Sequence, residues 1–548
     1  MSGGAAEGPD RRPIGSGAAL ALRRTLAVAL GLVVVGGALI RGPVGWAQSE
    51  HELQLVSIMN GNSISAAPTP TASPAIACTR YVSPVGSDAG PGTLAAPWKT
   101  VQHAAQTAAP GDVVYVRGGV YNERVTFAVS GSAGAPITFQ SYPGETAVLD
   151  GAGLTVPDAE SALFLITTQH HLVIRGFEVR NYKTSTRNRV PVGIRIYGTA
   201  HHIELRDNLV HHIEHNGTTA NGTDAHGIAV HGTSGTQSVN NIIIDGNELY
   251  ALKLGSSEAL VLNGNVETWQ VTNNVVRDSN NIGIDVIGFE GTAPANDQAR
   301  NGVIADNDVY NIDTFGNPAY GTDRSAGCIY VDGGADVVIE RNRAHHCNLG
   351  VEIASEHAGR ATSRVTVRNN FIYANSEAGI ALGGYDAQRG STENCVIVNN
   401  TLFGNNTSND YGGELYIQYD TRNNMIKNNV IVAGSAGWLI RSWSNVMQGN
   451  VVDANLYFAA SGARWEWRGT AYTGANAFAS YRAASGNDAG SLNGQDPLLV
   501  NAGAGDLHLG TGSPAIGRGQ ALAEAGALDI DGQARIQNAI DLGADEVP

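Results

Sequence analysis

The chain has 548 residues, a formal charge of −16 and only 15% charged residues, alongside 69 glycines. That balance excludes a general nucleic-acid binder, whose affinity rests on Lys and Arg neutralising phosphates. It leaves room for an anionic sugar, which a few local basic groups would satisfy. Gly and Asn between alternating aliphatics point to many short strands and turns.

Residues 1–47 open with Arg11, Arg12, Arg23 and Arg24, then the apolar run 25–40 and the small-residue stretch Gly45-Trp46-Ala47. This is the pattern of an export signal with a long basic region, and the run is short for a full membrane span. A cleaved signal peptide is favoured over an uncleaved membrane anchor, so the expected location is secreted or cell surface. Residues 48–78 include SAAPTPTASPAIA, a Pro/Ser/Thr-rich linker.

Residues 79–150 are expected to form an N-terminal cap and the first rungs. A short amphipathic helix is expected near 100–108, stopped by Pro110-Gly111-Asp112, with strands at 113–116 and 124–127. A stacked fold needs its open end covered, because bare strand edges and core side chains are exposed there.

Residues 151–460 repeat. Asn208, Asn247, Asn274, Asn307, Asn342, Asn370, Asn400, Asn429 and Asn450 each follow a Val/Ile-rich run. Between them recur GIAVHG (227–232), ALVLNG (259–264), GIDVIG (283–288), CIYVDG (328–333), GVEIAS (350–355), GIALGG (379–384) and ELYIQY (414–419). Strand, Asn turn, strand, loop and aliphatic motif make three strands per turn, a parallel β-helix. Asn tolerates left-handed backbone geometry at a tight turn, and stacked amides hydrogen-bond along a ladder. Residues 461–548 change to Gly/Ala/Asp-rich sequence and are expected to be a small C-terminal cap module. Cys78, Cys328, Cys347 and Cys395 show no zinc spacing. Buried unpaired thiols are the favoured reading, and Cys328–Cys347 is the one pairing to test.

In each aliphatic motif the second and fourth residues face the core, so the third and fifth face solvent. Read up the stack, the third positions are Ala229, Val261, Asp285, Tyr330, Glu352, Ala381 and Tyr416; the fifth are His231, Asn263, Ile287, Asp332, Ala354, Gly383 and Gln418. At a strand spacing of ~4.8 Å, Asp285 and Glu352 stand two rungs apart with Asp332 on the rung between. Like charges that close raise a pKa unless a cation or Arg intervenes. Long loops at 288–302 and 311–327 are expected to bring Glu290, Arg300, Asp323 and Arg324 to this cluster, and later loops Glu356, Tyr385 and Arg389. Tyr330, Tyr385 and Tyr416 would stack on sugar rings. His226 and His231 lie near the same face and are read as polar neighbours of the rungs. The pairs His201-His202, His211-His212 and His345-His346 suggest no metal constellation.

The stretches YVSPVGSDAGPGTLAAPWKTVQHA, PGDVVYVRGGVYNERVTF and APITFQSYPGETAVLDG resemble the entry module of secreted right-handed parallel β-helix proteins of the pectate-lyase-like superfamily. With the Asn repeats, the resemblance spans roughly residues 79–460. It implies an all-β, right-handed parallel β-helix solenoid, and a carbohydrate cleft over one sheet, walled by loops. It leans towards a polysaccharide lyase that cleaves a uronate glycan by β-elimination. Ca²⁺ on Asp285, Asp332 and Glu352 would neutralise the uronate, and Arg324, Arg300 or Lys253 would act as base. The chain departs from the familiar lyase pattern in lacking adjacent Asp residues beside a Lys. A glycoside hydrolase using Asp332 and Glu352 is the alternative, at about 5 Å for retention or 6.5–9.5 Å for inversion. A non-catalytic glycan-binding or adhesin β-helix is the third reading. The expected partner is a polysaccharide, the chain is expected to be a monomer, and it would meet a membrane only through an uncleaved anchor.

Overall fold

The computed structural model describes residues 79–536 and 539–548. The signal or anchor, the linker and Cys78 lie outside the described residues.

The chain winds through three long sheets of 17, 13 and 13 strands, whose pairings along the stack are parallel up to the closing hairpin. One turn runs Val266–Thr272, Val275–Ser279 and Ile284–Ile287, one strand in each sheet, before Arg300–Ala305 re-enters the first. This is a right-handed parallel β-helix, as expected. Its core is a continuous column of aliphatic side chains, among them Ile284, Val286, Ile329, Val331, Val351 and Ile353.

The recurring asparagines form a hydrogen-bonded ladder. Asn307 Nδ2 donates to Asn342 Oδ1 at 2.9 Å and to the Val271 carbonyl at 2.9 Å, and Asn307 Oδ1 accepts from the Asn274 side chain and backbone. The ladder runs from Asn208 to Asn455. Asn450, expected in this row, belongs instead to a separate corner with Asn424. The left-handed residue of the turn is not the ladder Asn but the one before it: Gly246, Asn273, Asp306, Arg341, Asn369, Asn399, Asn428 and Ala454 all have φ between 53° and 69°. The ladder Asn contributes its amide, and its predecessor contributes the bend.

A helix at Val101–Thr107 buries Val101, Ala104 and Ala105 in the first part of the core, with Thr100 accepting the His103 N–H as its N-cap. At the far end the antiparallel pair Arg464–Trp467 and Thr470–Tyr472 and the helix Ala477–Ser485 place Trp465, Phe478 and Tyr481 against Tyr457. Leu492–Asn493 adds the last parallel strand to the sheet of Val275–Ser279, and the tail beyond it lies along the outside of that same sheet, where Leu507 and Ala544 pack with Phe371, and Asn369, Asn399 and Asn428 donate to its carbonyls.

Cys328 and Cys347 form a disulfide with Cα atoms 5.7 Å apart, which corrects the reading of both as unpaired thiols. Cys328 lies on the strand Gly327–Asp332 and Cys347 follows Arg343–His345 in the next turn, and the two side chains meet in the core. Cys395 is buried and unpaired.

Candidate active site

The aliphatic motifs stack in one sheet, and the register is the expected one. Asp285 lies opposite Tyr330, Tyr330 opposite Glu352, Glu352 opposite Ala381 and Ala381 opposite Tyr416, while Asp332 is opposite Ala354. Asp285, Asp332 and Glu352 therefore occupy consecutive rungs, and strand alternation turns them away from the aliphatic column.

They do not face solvent. Asp285, Asp332 and Glu352 are 2%, 4% and 6% exposed, and Tyr330 between them is 4% exposed. The reason is tertiary: loops fold back over this face. In loop 288–299, Asp297 accepts the Gly291 and Ala293 N–H groups, Gln298 Nε2 donates to the Gly333 carbonyl, and Glu290 accepts from Asn263 Nδ2 at 2.7 Å. In loop 313–326, Asn317 Nδ2 donates to the Gly255 and Asn280 carbonyls, and Tyr320 accepts from Asn281. After the Leu349–Ala354 strand the chain turns so that the Glu356 N–H donates to Asp332 Oδ1 at 2.7 Å.

The pocket so formed is strongly acidic. Burial pushes the Asp285 carboxyl far above its ordinary range, reinforced by Glu258, Asp332, Glu290 and Glu356. Asp332 is pushed up likewise by burial and Glu356, against the pull of the Glu356 N–H. Burial and then Glu356 push Glu352 up to about 8. Burial, with Asp332 and Glu352 next, raises the Tyr330 hydroxyl well above its usual value. Asp285 Oδ1 and the Tyr330 hydroxyl are buried with no hydrogen-bond partner. Ligand atoms of Glu290, Asp332 and His357 lie within 4.8 Å of one another.

The expected basic residues are placed differently. Arg300 begins a strand of the first sheet, where its Nη2 meets Glu267 at 2.7 Å and its Nη1 meets Asn265 Oδ1 at 3.1 Å. Arg324 pairs with Asp313 at 2.5 Å and lies over Phe315. Both are drawn off by acidic residues on their own side of the loops. Lys253 binds Asn216 and Glu214 on another face. Arg389 does reach the pocket wall: its Nη1 donates to the Glu356 carbonyl at 3.3 Å, and its guanidinium lies 4.4 Å from the Tyr385 ring centroid. Burial, and next Glu356, raise the Tyr385 hydroxyl above its usual value, so this ring also borders the acidic cluster. Tyr416, two rungs past Glu352, packs with Ala381, Tyr411 and Trp443. Asp323 is exposed; its N–H donates to the Tyr320 carbonyl and its carbonyl accepts the Thr314 hydroxyl.

Glu258, Tyr320 and His357 also belong to this neighbourhood and were not singled out from the sequence. Glu258 immediately precedes an aliphatic motif and His357 follows Glu356, so proximity to chosen positions was the available signal. Nothing local marked Tyr320.

The family model described as "Pel9A-like, right handed beta helix region" matches residues 80–271, and that of "Periplasmic copper-binding protein (NosD)" matches residues 296–480. The protein YwoF of Bacillus subtilis (strain 168), itself uncharacterized, is 41% identical over 437 residues, 79% of this chain and 91% of that protein. The chain belongs to the same family as YwoF, and its residues 80–271 are similar to the Pel9A-like right-handed β-helix region. Pectate lyase PEL9 of Emericella nidulans is 38% identical over 92 residues, which is 16% of this chain and 22% of that protein. Among solved structures, pectate lyase Pel9A shares 15% identity at a TM-score of 0.43, over 86% of this chain and 96% of that one. The A-module of the mannuronan C-5 epimerase AlgE6 of Azotobacter vinelandii shares 12% identity at a TM-score of 0.49, over 72% and 93%. The Pel9A-like match ends before Asp285, so the acidic pocket lies outside it.

Proposed function

We propose that the protein is an exported polysaccharide lyase that cleaves a uronate-containing glycan by β-elimination in the pocket around Asp285, Tyr330, Asp332 and Glu352. The observation that carries this reading is a buried convergence of carboxylates whose strongest charge influences are other carboxylates, with one oxygen, Asp285 Oδ1, left unpartnered. Such a group either holds protons or holds a cation. The donor set is rich in oxygen, which suits Ca²⁺. Asp285 and Asp332, helped by Glu290 and Glu356, would hold it, with Glu352 at the edge of the set. The ion would neutralise the uronate carboxylate and so acidify the proton at C5.

The chain's own groups supply the rest. The Tyr330 hydroxyl stands between Asp285 and Glu352 and, kept protonated by burial and these neighbours, would give its proton to the departing C4 oxygen. Arg389 on the wall is placed to pair with the substrate carboxylate. The elimination would pass the C5 proton to an ionised carboxylate of the pocket, form the C4–C5 double bond and expel the C4 oxygen, which takes the Tyr330 proton. Tyr385, half-buried on the wall, would offer a ring face to a neighbouring sugar, whereas Tyr416 is buried against Ala381, Tyr411 and Trp443 and does not. Export fits the Cys328–Cys347 disulfide, which persists in oxidising compartments.

One observation favours a second reading. A carboxyl held near about 8, as Glu352 is, stays protonated at neutral pH and suits the acid of a glycoside hydrolase. A polysaccharide panel assayed for both ultraviolet absorbance and reducing ends, with and without chelator, separates the two. The lyase gives unsaturated products and loses turnover on chelation, and Asp332→Asn reduces turnover by at least ~100-fold with an unchanged fold. Saturated products that survive chelation overturn the lyase in favour of the hydrolase. Binding without turnover of any glycan overturns both in favour of an adhesin.

A further inference from the structure

A second cluster lies on the same sheet, on rungs that precede the acidic pocket. The strands Glu160–Ile166 and Val190–Gly198 stack just before His226–Gly232 in this sheet, and on its outward face Ala162 and Val192 pack with Ala229, Val261 and Ile287. This brings Glu160 to His226 and His231, which both lie on the strand His226–Gly232. One ligand atom from each of Glu160, His226 and His231 lies within 4.8 Å of the others. The two rings meet edge to face at 5.8 Å. His226 and His231 are 5% and 9% exposed.

The surroundings orient each group as a metal ligand is oriented. His226 Nδ1 is 3.1 Å from the Glu258 carbonyl and 3.5 Å from Glu258 Oε2, so this nitrogen is turned to Glu258 and Nε2 is turned away from it. Metal-bound histidines characteristically make this bond to a carbonyl with their other nitrogen. Arg195 takes Glu160 Oε2 through its Nη2. That leaves Glu160 Oε1, buried and without a hydrogen-bond partner, 3.3 Å from His231 Nδ1.

We propose that Glu160, His226 and His231 form a binding site for a first-row transition-metal ion of the Zn²⁺ type, distinct from the acidic pocket. Two imidazoles and one carboxylate suit such an ion, whereas Ca²⁺ prefers oxygen alone. The site is independent of the proposed lyase reaction. It is nevertheless linked to the pocket through Glu258, whose carbonyl orients His226 and whose charge acts on Asp285.

The test is direct titration of the metal-stripped full chain with Zn²⁺ and with Ca²⁺ by calorimetry, together with metal analysis of the protein as purified. Zn²⁺ is expected to bind, and His231→Ala and Glu160→Gln are each expected to weaken it by at least ~10-fold while leaving the Ca²⁺ titration unchanged. His171, His201 and His202 form another histidine group on the first sheet, so a His201→Ala/His202→Ala variant serves as control and should keep the Zn²⁺ site. Absence of Zn²⁺ binding at about 100 μM would overturn the proposal. So would loss of Zn²⁺ only in the control variant, or equal affinity in wild type and Glu160→Gln. Should His231→Ala fail to fold, Glu160→Gln, which preserves side-chain shape, decides alone.

Discussion

Replacing Glu352 with Gln should make the cation-free protein more stable. Glu352 is buried with Glu356 as its chief charge neighbour, and its folded value stands near about 8 against an ordinary 4.5. The sign follows from proton binding. Between those values the folded chain binds a proton that the unfolded chain has released, so stability falls as pH rises through that window and levels off above it. A difference of about 3.5 units corresponds to a penalty on the order of 5 kcal/mol when fully expressed near pH 9, and on the order of 3 kcal/mol at pH 7. Gln has nearly the same shape and never ionises. The variant should therefore match wild type near pH 4, where both side chains are neutral, and gain steadily above it. Thermal unfolding in chelator at about pH 4.5, 7 and 9 reads this as a melting-temperature difference that opens by several degrees. Added Ca²⁺ should narrow or reverse the difference, because the ion stabilises only the chain that can hold it. A difference that stays constant with pH, or a variant that is less stable throughout, would refute the electrostatic account of the pocket.

Asn307→Ala removes an amide that donates to Asn342 and the Val271 carbonyl and accepts from Asn274, leaving several buried polar groups unpaired. A loss of about 2–4 kcal/mol is expected in denaturant unfolding, without loss of the site's chemistry in the folded fraction. Arg389→Ala should reduce turnover more than Arg324→Ala or Arg300→Ala, since only Arg389 touches the pocket wall; kcat/KM on the first active polysaccharide checks the order. Cys328→Ser with Cys347→Ser should lower stability by about 3 kcal/mol, as expected for closing a short loop, and reductant should lower the melting temperature of wild type but not of that variant.

The parts of the fold that were legible in the sequence are those fixed by local rules. Alternation along GIDVIG, CIYVDG and GVEIAS placed Asp285, Tyr330 and Glu352 in one outward column, and the backbone register agrees. The Asn ladder was legible for the same reason, except at Asn450. There two corners of one turn carry the same residue type, and only the pairings Asn424–Asn450 and Asn429–Asn455 tell them apart. Burial of the site was not legible, because it depends on where loops 288–299 and 313–326 close. Nor was the diversion of Arg300 and Arg324, since Glu267 and Asp313 compete for them as well as the pocket does. The disulfide was visible only as a possible pairing, because spacing alone does not say which strands of neighbouring turns face each other.

The same alternation explains how one strand can hold both a stable core and a costly site. Ile284 and Val286 pack in the aliphatic column while Asp285, between them, is desolvated on the other side of the sheet. Its charge repulsion is therefore separated from the core by the sheet itself, and the strand is held in register by the ladder hydrogen bonds between Asn274 on the same turn and Asn307 on the next. Substitutions on the outward column can alter charge and binding with little change in core packing. Substitutions on the inward column or in the Asn ladder act on every rung that stacks against them. For that reason neutral isosteres such as Glu352→Gln and Asp332→Asn are informative about chemistry in this architecture, whereas a change at Ile284 or Val331 would report mainly on folding.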